Sequence, residues 1–402
     1  MIVLKNATVV DCIGTKPFHN ATVVVEGERI KAVGHDLLIP DGADIIVDVK
    51  GKTVIPGLID VHVHLGGTDG FVQPGIGSRI ETDDYIKSRT EALRWGVTTV
   101  RSAGDYSPDI FTFRDEVKLG RHISPRIIAA GKMIQAKGGH PVYTVFGGNS
   151  AIAEHACVIV DENTDLEKEV KALVDAGADW IKAVISEVDK MDFPKQVPRI
   201  PPAMIRRIIE LSHDFGIRCM VHVDNASQLK EAALSGADCI EHILAVGATD
   251  TEIDDSTIDL LVKKRTYVVP TIFSIQRHEN PDLSKPLVFE SLIKQVNKLI
   301  KAGVKVGVGT DSSIPFVPIG ESIHDELSLF VRCGMAPLEA LKAATIGNAA
   351  LLRKDKEIGA VLPGYYADLV VVDGDPANDI SHTKKIDLVI ANGQISITNH
   401  RQ

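Results

Sequence analysis

The sequence predicts an α/β protein, a (β/α)8 TIM-type barrel with a small β-sandwich domain formed from both termini. Three observations carry that reading. Between about residues 54 and 311, eight apolar, β-branched runs alternate with amphipathic segments. Most of those segments end in a glycine placed to supply a left-handed cap before the next strand, as at Gly177, Gly216, Gly236 and Gly303. Both ends of the chain read instead as short strands separated by turn residues. No GxGxxG turn follows an early strand, which removes the main reason to choose a dinucleotide-binding open sheet.

Taken in order, 1–53 is the N-terminal part of the sandwich, with strands at 2–8, 21–26, 29–33 and 45–48. Pro56-Gly57 then marks entry to the barrel, 54–358. Its strands are predicted at 55–61, 98–102, 126–130, 180–185, 217–223, 239–242, 267–271 and 304–309. Helices at 322–333 and 337–352 close it. Residues 359–402 return to the sandwich with strands at 367–373, 386–389 and 394–397.

Composition narrows the function. A chain of 402 residues with 44% hydrophobic and 24% charged residues is ordinary for a globular protein. The net charge of −10, with no basic run, argues against a nucleic-acid surface. No stretch approaches the roughly 20 apolar residues of a membrane span. Met1-Ile-Val-Leu-Lys-Asn6 lacks the build of a secretory signal. The five cysteines, Cys12, Cys157, Cys219, Cys239 and Cys333, are scattered and form no CxxC pair. A cytoplasmic protein without cysteine-bound metal is expected.

The most informative motif is Asp60-Val-His-Val-His64. Residues i and i+2 of a strand share a face, so His62 and His64 project side by side from an apolar run. Paired imidazoles in such a place need a shared partner, and a metal ion is the commonest one. In a barrel of this kind the active face collects side chains at the C-terminal strand ends. Lys182 lies on the fourth predicted strand, His222 ends the fifth, His242 ends the sixth and Asp311 follows the eighth. Each has an ordinary structural role open to it singly. Six such groups on one rim are better explained as a metal cluster.

These motifs resemble the amidohydrolase superfamily, and within it the imidazolonepropionase-like and metal-dependent dipeptidase-like branch. The resemblance spans nearly the whole chain, from Pro56-Gly-Leu-Ile-Asp-Val-His-Val-His64 through Gly309-Thr-Asp311 to Gly364-Tyr-Tyr-Ala-Asp-Leu369. It implies two divalent metal ions, zinc being usual in the family. His62, His64 and Asp311 would hold the more buried ion and His222 and His242 the more exposed one. Lys182 would bridge them as an N-carboxylated lysine, formed when the neutral amine of a buried lysine captures carbon dioxide. The implied reaction is hydrolysis of a C–N amide bond in an N-acyl amino acid, dipeptide or cyclic amide, by a hydroxide shared between the metals. Asp311 would shuttle the proton, and His140, in Gly138-Gly-His-Pro141, would bind substrate and its oxyanion.

The alternatives are a one-metal deaminase of a nucleobase-like ring, against which Lys182 stands, and lactone or phosphoester hydrolysis by the same site. Two departures keep the dipeptidase pocket from being carried over. Ser186-Glu-Val-Asp-Lys190 replaces a Thr-Gly-Gly stretch, and Asp224 replaces a tyrosine. The segment 186–201, with Lys190, Lys195 and Arg199, is a candidate lid for an anionic group. A small-molecule substrate, no nucleic acid or membrane partner, and homo-oligomers are expected.

Overall fold

A computed structural model describes residues 1–35, 37–38, 42–66, 82–187, 195–279 and 287–398, with backbone only for 82–86. The N-terminal strands are β1 (Ile2–Val9), β2 (Phe18–Glu26), β3 (Arg29–His35), β4 (Ile45–Asp48) and β5 (Thr53–Pro56). Then come β6 (Leu58–Val63), β7 (Val97–Ser102), β8 (Arg126–Ala129), β9 (Met133–Ala136), β10 (Cys157–Val160) and β11 (Trp180–Val184). They are followed by β12 (Arg218–Val223), β13 (Cys239–His242), β14 (Tyr267–Val269) and β15 (Lys305–Val306). The last three are β16 (Leu369–Val372), β17 (Ile386–Ala391) and β18 (Gln394–Thr398).

Strands β6 to β15 are parallel and fall into two sheets, β6-β7-β8 and β10-β9-β11-β12-β13-β14-β15. Hydrogen bonds join the two at both margins. Val61 N–H donates to Val308 O at 3.2 Å and Asp311 N–H to His62 O at 2.8 Å, while Asp179 N–H reaches Ala129 O at 2.8 Å. β6 is buried along its whole length, as a strand covered on both faces must be. Its entry is tight: a Cβ on Gly57 would lie 1.9 Å from Thr98 Oγ1, so only glycine fits.

The third predicted strand, 126–130, is β8, and a further strand, β9, follows it. β8 pairs with β7, the chain turns at Gly131 with φ +71°, and β9 pairs with β11 and β10. β9 and β10 were not expected: three residues separate β8 from β9, and β10 follows the helix Ser150–Ala156 with no residue between. The helix expected over 337–352 carries a π-turn at Ala343–Gly347, between α-helical Pro337–Lys342 and Asn348–Leu351. There the Thr345 hydroxyl bonds back to Leu341 O at 2.7 Å, a contact that competes with the helical ladder.

Both chain ends enter one sheet, ordered β18-β17-β16-β5-β1-β2-β3 with β4 on β1. Ile2, Leu4, Val23, Val54, Leu369, Val371 and Ile390 give this sheet an apolar cluster separate from the main core. Among the described residues no helix is long and apolar enough to cross a membrane.

Candidate metal centre

Five of the six residues predicted as ligands, His62, His64, His222, His242 and Asp311, meet at the C-terminal ends of the parallel strands. His62, His64 and Asp311 offer ligand atoms that all lie within 4.8 Å of one another. Asp311 Oδ1 is 3.4 Å from His62 Nε2 and 3.3 Å from His64 Nε2. Ring contacts continue the cluster, with centroids 4.8 Å apart for His62 and His242 and 4.4 Å for His242 and His222. His140 extends it, 4.9 Å from His222. Lys182 sits in the interior of β11, 2% exposed.

Local backbone shape brings these groups inward. His242, Thr271 and Asp311, all just at or beyond strand ends, take positive φ values of 74°, 46° and 61°. Such conformations cost about 1–3 kcal/mol each and persist only where surrounding structure imposes them. Close approach helps too: a Cβ on Gly309 would sit 2.8 Å from His62 Cβ. Asp60 pins the Asp311 segment to β6, accepting Thr310 N–H at 3.1 Å and the Thr310 hydroxyl at 2.7 Å. Asp105 fixes the turn after His64 by accepting the N–H groups of Leu65 and Gly66, both at 2.9 Å.

Each imidazole has one nitrogen engaged by a neighbour. His62 Nδ1 meets Glu241 Oε2 at 2.6 Å, His64 Nδ1 meets Gly104 O at 2.7 Å, and His242 Nδ1 meets Thr271 Oγ1 at 2.8 Å. For His222 it is Nε2 that meets Asp224, at 3.0 Å. The Glu241 carboxylate and the Gly104 carbonyl can only accept, so they fix the tautomers of His62 and His64 and leave the lone pair of each Nε2 facing Asp311, which is how metal-binding histidines are oriented. His62 Nε2 is buried and has no hydrogen-bond partner among the described residues. That orphaned acceptor, facing Asp311 and a second imidazole, fits a divalent cation.

The electrostatics agree. Burial pulls the Lys182 amine down to about 8, against Glu241 and Asp311. Burial likewise pulls His62 down to about 4. Asp311 is held well below the usual carboxylate range in spite of its burial, through His64, His242 and His62. Glu241 is also held down against burial, by Arg101 and His62. Arg101, with no accessible surface, donates to Glu241 at 2.7 Å and to Val61 O at 2.6 Å.

Sequence reading did not single out Glu241, Arg101, Asp60, Asp105, Thr271 or Ser274. Of the candidate lid, Lys190 lies outside the described residues. Arg199 is engaged by Glu231 at 2.7 Å and by Glu187 at 3.7 Å, so its charge is already matched by two carboxylates.

Four histidines and an aspartate at the ends of parallel strands, with a buried lysine within one of those strands, define a class, the metal-dependent hydrolases. The chain belongs to the amidohydrolase family, whose profile matches residues 53–396, and it is an enzyme acting on carbon–nitrogen bonds. It is 26% identical to an imidazolonepropionase of Streptomyces coelicolor, over 92% of this chain and 90% of that protein. It is 24% identical to an ochratoxinase of Aspergillus niger, over 91% of this chain and 80% of that protein. A 5-methylthioadenosine/S-adenosylhomocysteine deaminase of Caldanaerobacter subterraneus is 23% identical, over 98% and 92%. Among solved structures, an Xaa-Pro dipeptidase with bound methionine superposes with a TM-score of 0.80, at 26% identity, over 98% of this chain and 99% of that one.

Proposed function

We propose that the protein hydrolyses the C–N amide bond of a small molecule, an N-acyl amino acid, a dipeptide or a cyclic amide, with two divalent metal ions, zinc first among the candidates. His62, His64 and Asp311 would hold one ion, His222 and His242 the other, and Lys182, N-carboxylated, would bridge them. The observation that carries the reading is the buried Nε2 of His62, without a hydrogen-bond partner among the described residues, beside Asp311 and His64, with the buried Lys182 amine coupled electrostatically to Asp311 and His62. We read the scaffold as a (β/α)8 barrel over 54–358, with residues 1–53 and 359–402 forming the flanking sandwich.

When bound, the metals supply a nucleophilic water at neutral pH and polarise the substrate carbonyl. The remaining work falls to the chain. Asp311 takes the proton of the attacking water and returns it to the leaving nitrogen. Its Oδ2 accepts the Ser274 hydroxyl at 3.1 Å, which fixes the carboxylate plane during that exchange. His140, its Nδ1 on the Thr144 hydroxyl, stands beside His222 and donates to the developing oxyanion. A cytoplasmic homo-oligomer is the setting we propose. The five free, buried cysteines support the reducing compartment, and light scattering after gel filtration tests the oligomer.

Metal content after reconstitution with zinc and bicarbonate tests the core of this reading. Two ions per chain are expected, and a single tightly held ion would point to deaminase chemistry instead. Lys182→Ala should lose activity toward N-acyl amino acids, dipeptides and cyclic ureides together with bound metal. Full turnover by that variant would end the two-metal reading.

A further inference from the structure

The helix Ile272–His278 begins just after Thr271, whose backbone is left-handed with φ 46°. A threonine at this position ordinarily accepts an N–H of the first helical turn through its hydroxyl. Thr271 makes no such cap bond, and its hydroxyl meets His242 Nδ1 instead. The first-turn N–H groups are taken by a residue from another helix, Ser322–Arg332. Glu326, with no accessible surface, accepts Ile272 N–H at 2.9 Å on Oε1 and Phe273 N–H at 2.7 Å on Oε2. One residue further on, the Ser274 hydroxyl donates to Asp311 Oδ2.

We infer that Glu326 is a positioning residue for the candidate metal centre, capping the helix Ile272–His278 in place of Thr271 so that Thr271 can fix His242 and Ser274 can fix Asp311. The argument is one of competition. Two N–H groups at a helix start must find acceptors, and the hydroxyl of an N-cap threonine is the usual local one. If the Thr271 hydroxyl turned to them, His242 would lose the partner that sets its ring. Glu326 removes that competition and fixes the first helical turn, from which Ser274 reaches Asp311. One carboxylate thereby steadies a ligand of each proposed ion. The inference rests on the proposed metal-binding roles of His242 and Asp311.

The test compares zinc affinity of the full chain, by chelator competition, for wild type, Glu326→Gln, Ser274→Ala and the double variant. Glu326→Gln places an amide donor against a backbone N–H. Loss of an outer partner of a metal ligand typically weakens binding about 10–100-fold, and that loss is expected here. The double variant should bind no more weakly than Glu326→Gln alone, because Ser274 acts through the turn that Glu326 holds. Zinc affinity of Glu326→Gln equal to wild type, or fully additive losses, would overturn the inference. Should Glu326→Gln fail to fold, Glu326→Asp keeps a carboxylate one methylene shorter. Its affinity should fall between, and a wild-type value would count against the role. A second readout needs no metal. With 15N-labelled histidine, the His242 Nδ1–H resonance of the metal-free protein should shift in Glu326→Gln, and an unchanged resonance would overturn the role. If the wild type binds no zinc, the proposed function fails, while this resonance still decides the part played by Glu326.

Discussion

Glu241 lies between two groups that the site needs in fixed positions, the Arg101 guanidinium and the His62 ring. All three are buried, so removing the carboxylate charge leaves the Arg101 guanidinium in the protein interior with no other ion-pair partner among the described residues. Breaking one half of such a pair costs about 3–5 kcal/mol. Glu241→Gln should therefore lose stability of that order in urea unfolding, and zinc affinity should drop about tenfold or more as the His62 ring loosens. Stability within about 1 kcal/mol of wild type would show that Arg101 finds another acceptor. The role is hidden in the sequence for a physical reason. Neighbours on a regular strand point to opposite faces, so Glu241 and His242 should not both serve one site. The positive φ at His242 breaks that alternation. The ligand candidates were legible because each interrupts, ends or follows an apolar run. Their supporting partners come from elements distant in sequence and carry no local pattern.

At the scale of elements, the parallel strands were legible where an apolar run followed a glycine-capped helix, and β13, after Gly236, matches its expected bounds. What sequence could not show is how the first and last parallel strands are held together. Asn348 does part of this. Its amide donates to Ile59 O at 2.6 Å and Val308 O at 2.8 Å, and its Oδ1 accepts Val308 N–H at 3.0 Å. The π-turn Ala343–Gly347 immediately precedes it. Read as part of one regular helix, Asn348 gives no sign of this task. Asn348→Ala would strip three bonds from a buried seam, and an unmet buried polar group costs about 1–3 kcal/mol. A loss of roughly 3 kcal/mol in chemical denaturation is expected. A loss under about 1 kcal/mol would mean that the direct strand contacts suffice.

Across the whole molecule, His324 ties together parts of the chain far apart in sequence. Its Nε2 lies 3.1 Å from Trp95 O and its Nδ1 2.9 Å from the Thr383 hydroxyl. Burial, with Lys384 adding to it, pulls the His324 ring down from 6.5 to about 3. Between those values the unfolded chain takes up a proton that the folded chain refuses, so stability falls as pH falls through that window. The slope contributed by this one group is about 1.4 kcal/mol per pH unit. His324→Gln should flatten the pH dependence of urea stability below about pH 6 by that amount. An unchanged slope would place the sensitivity elsewhere.

The sheet shared by the two chain ends sets an order of events at birth. Thr53 Oγ1 donates to Gly374 O across 321 positions of chain, and β5 pairs with β16. Synthesis proceeds at about 5–20 residues per second. The opening strands therefore wait tens of seconds, with an unpaired edge, for partners still to be translated. A nascent chain of this design needs either early assembly of the parallel strands or a chaperone on its N-terminal segment. Ribosomes stalled before residue 369 should carry a protease-sensitive N-terminus.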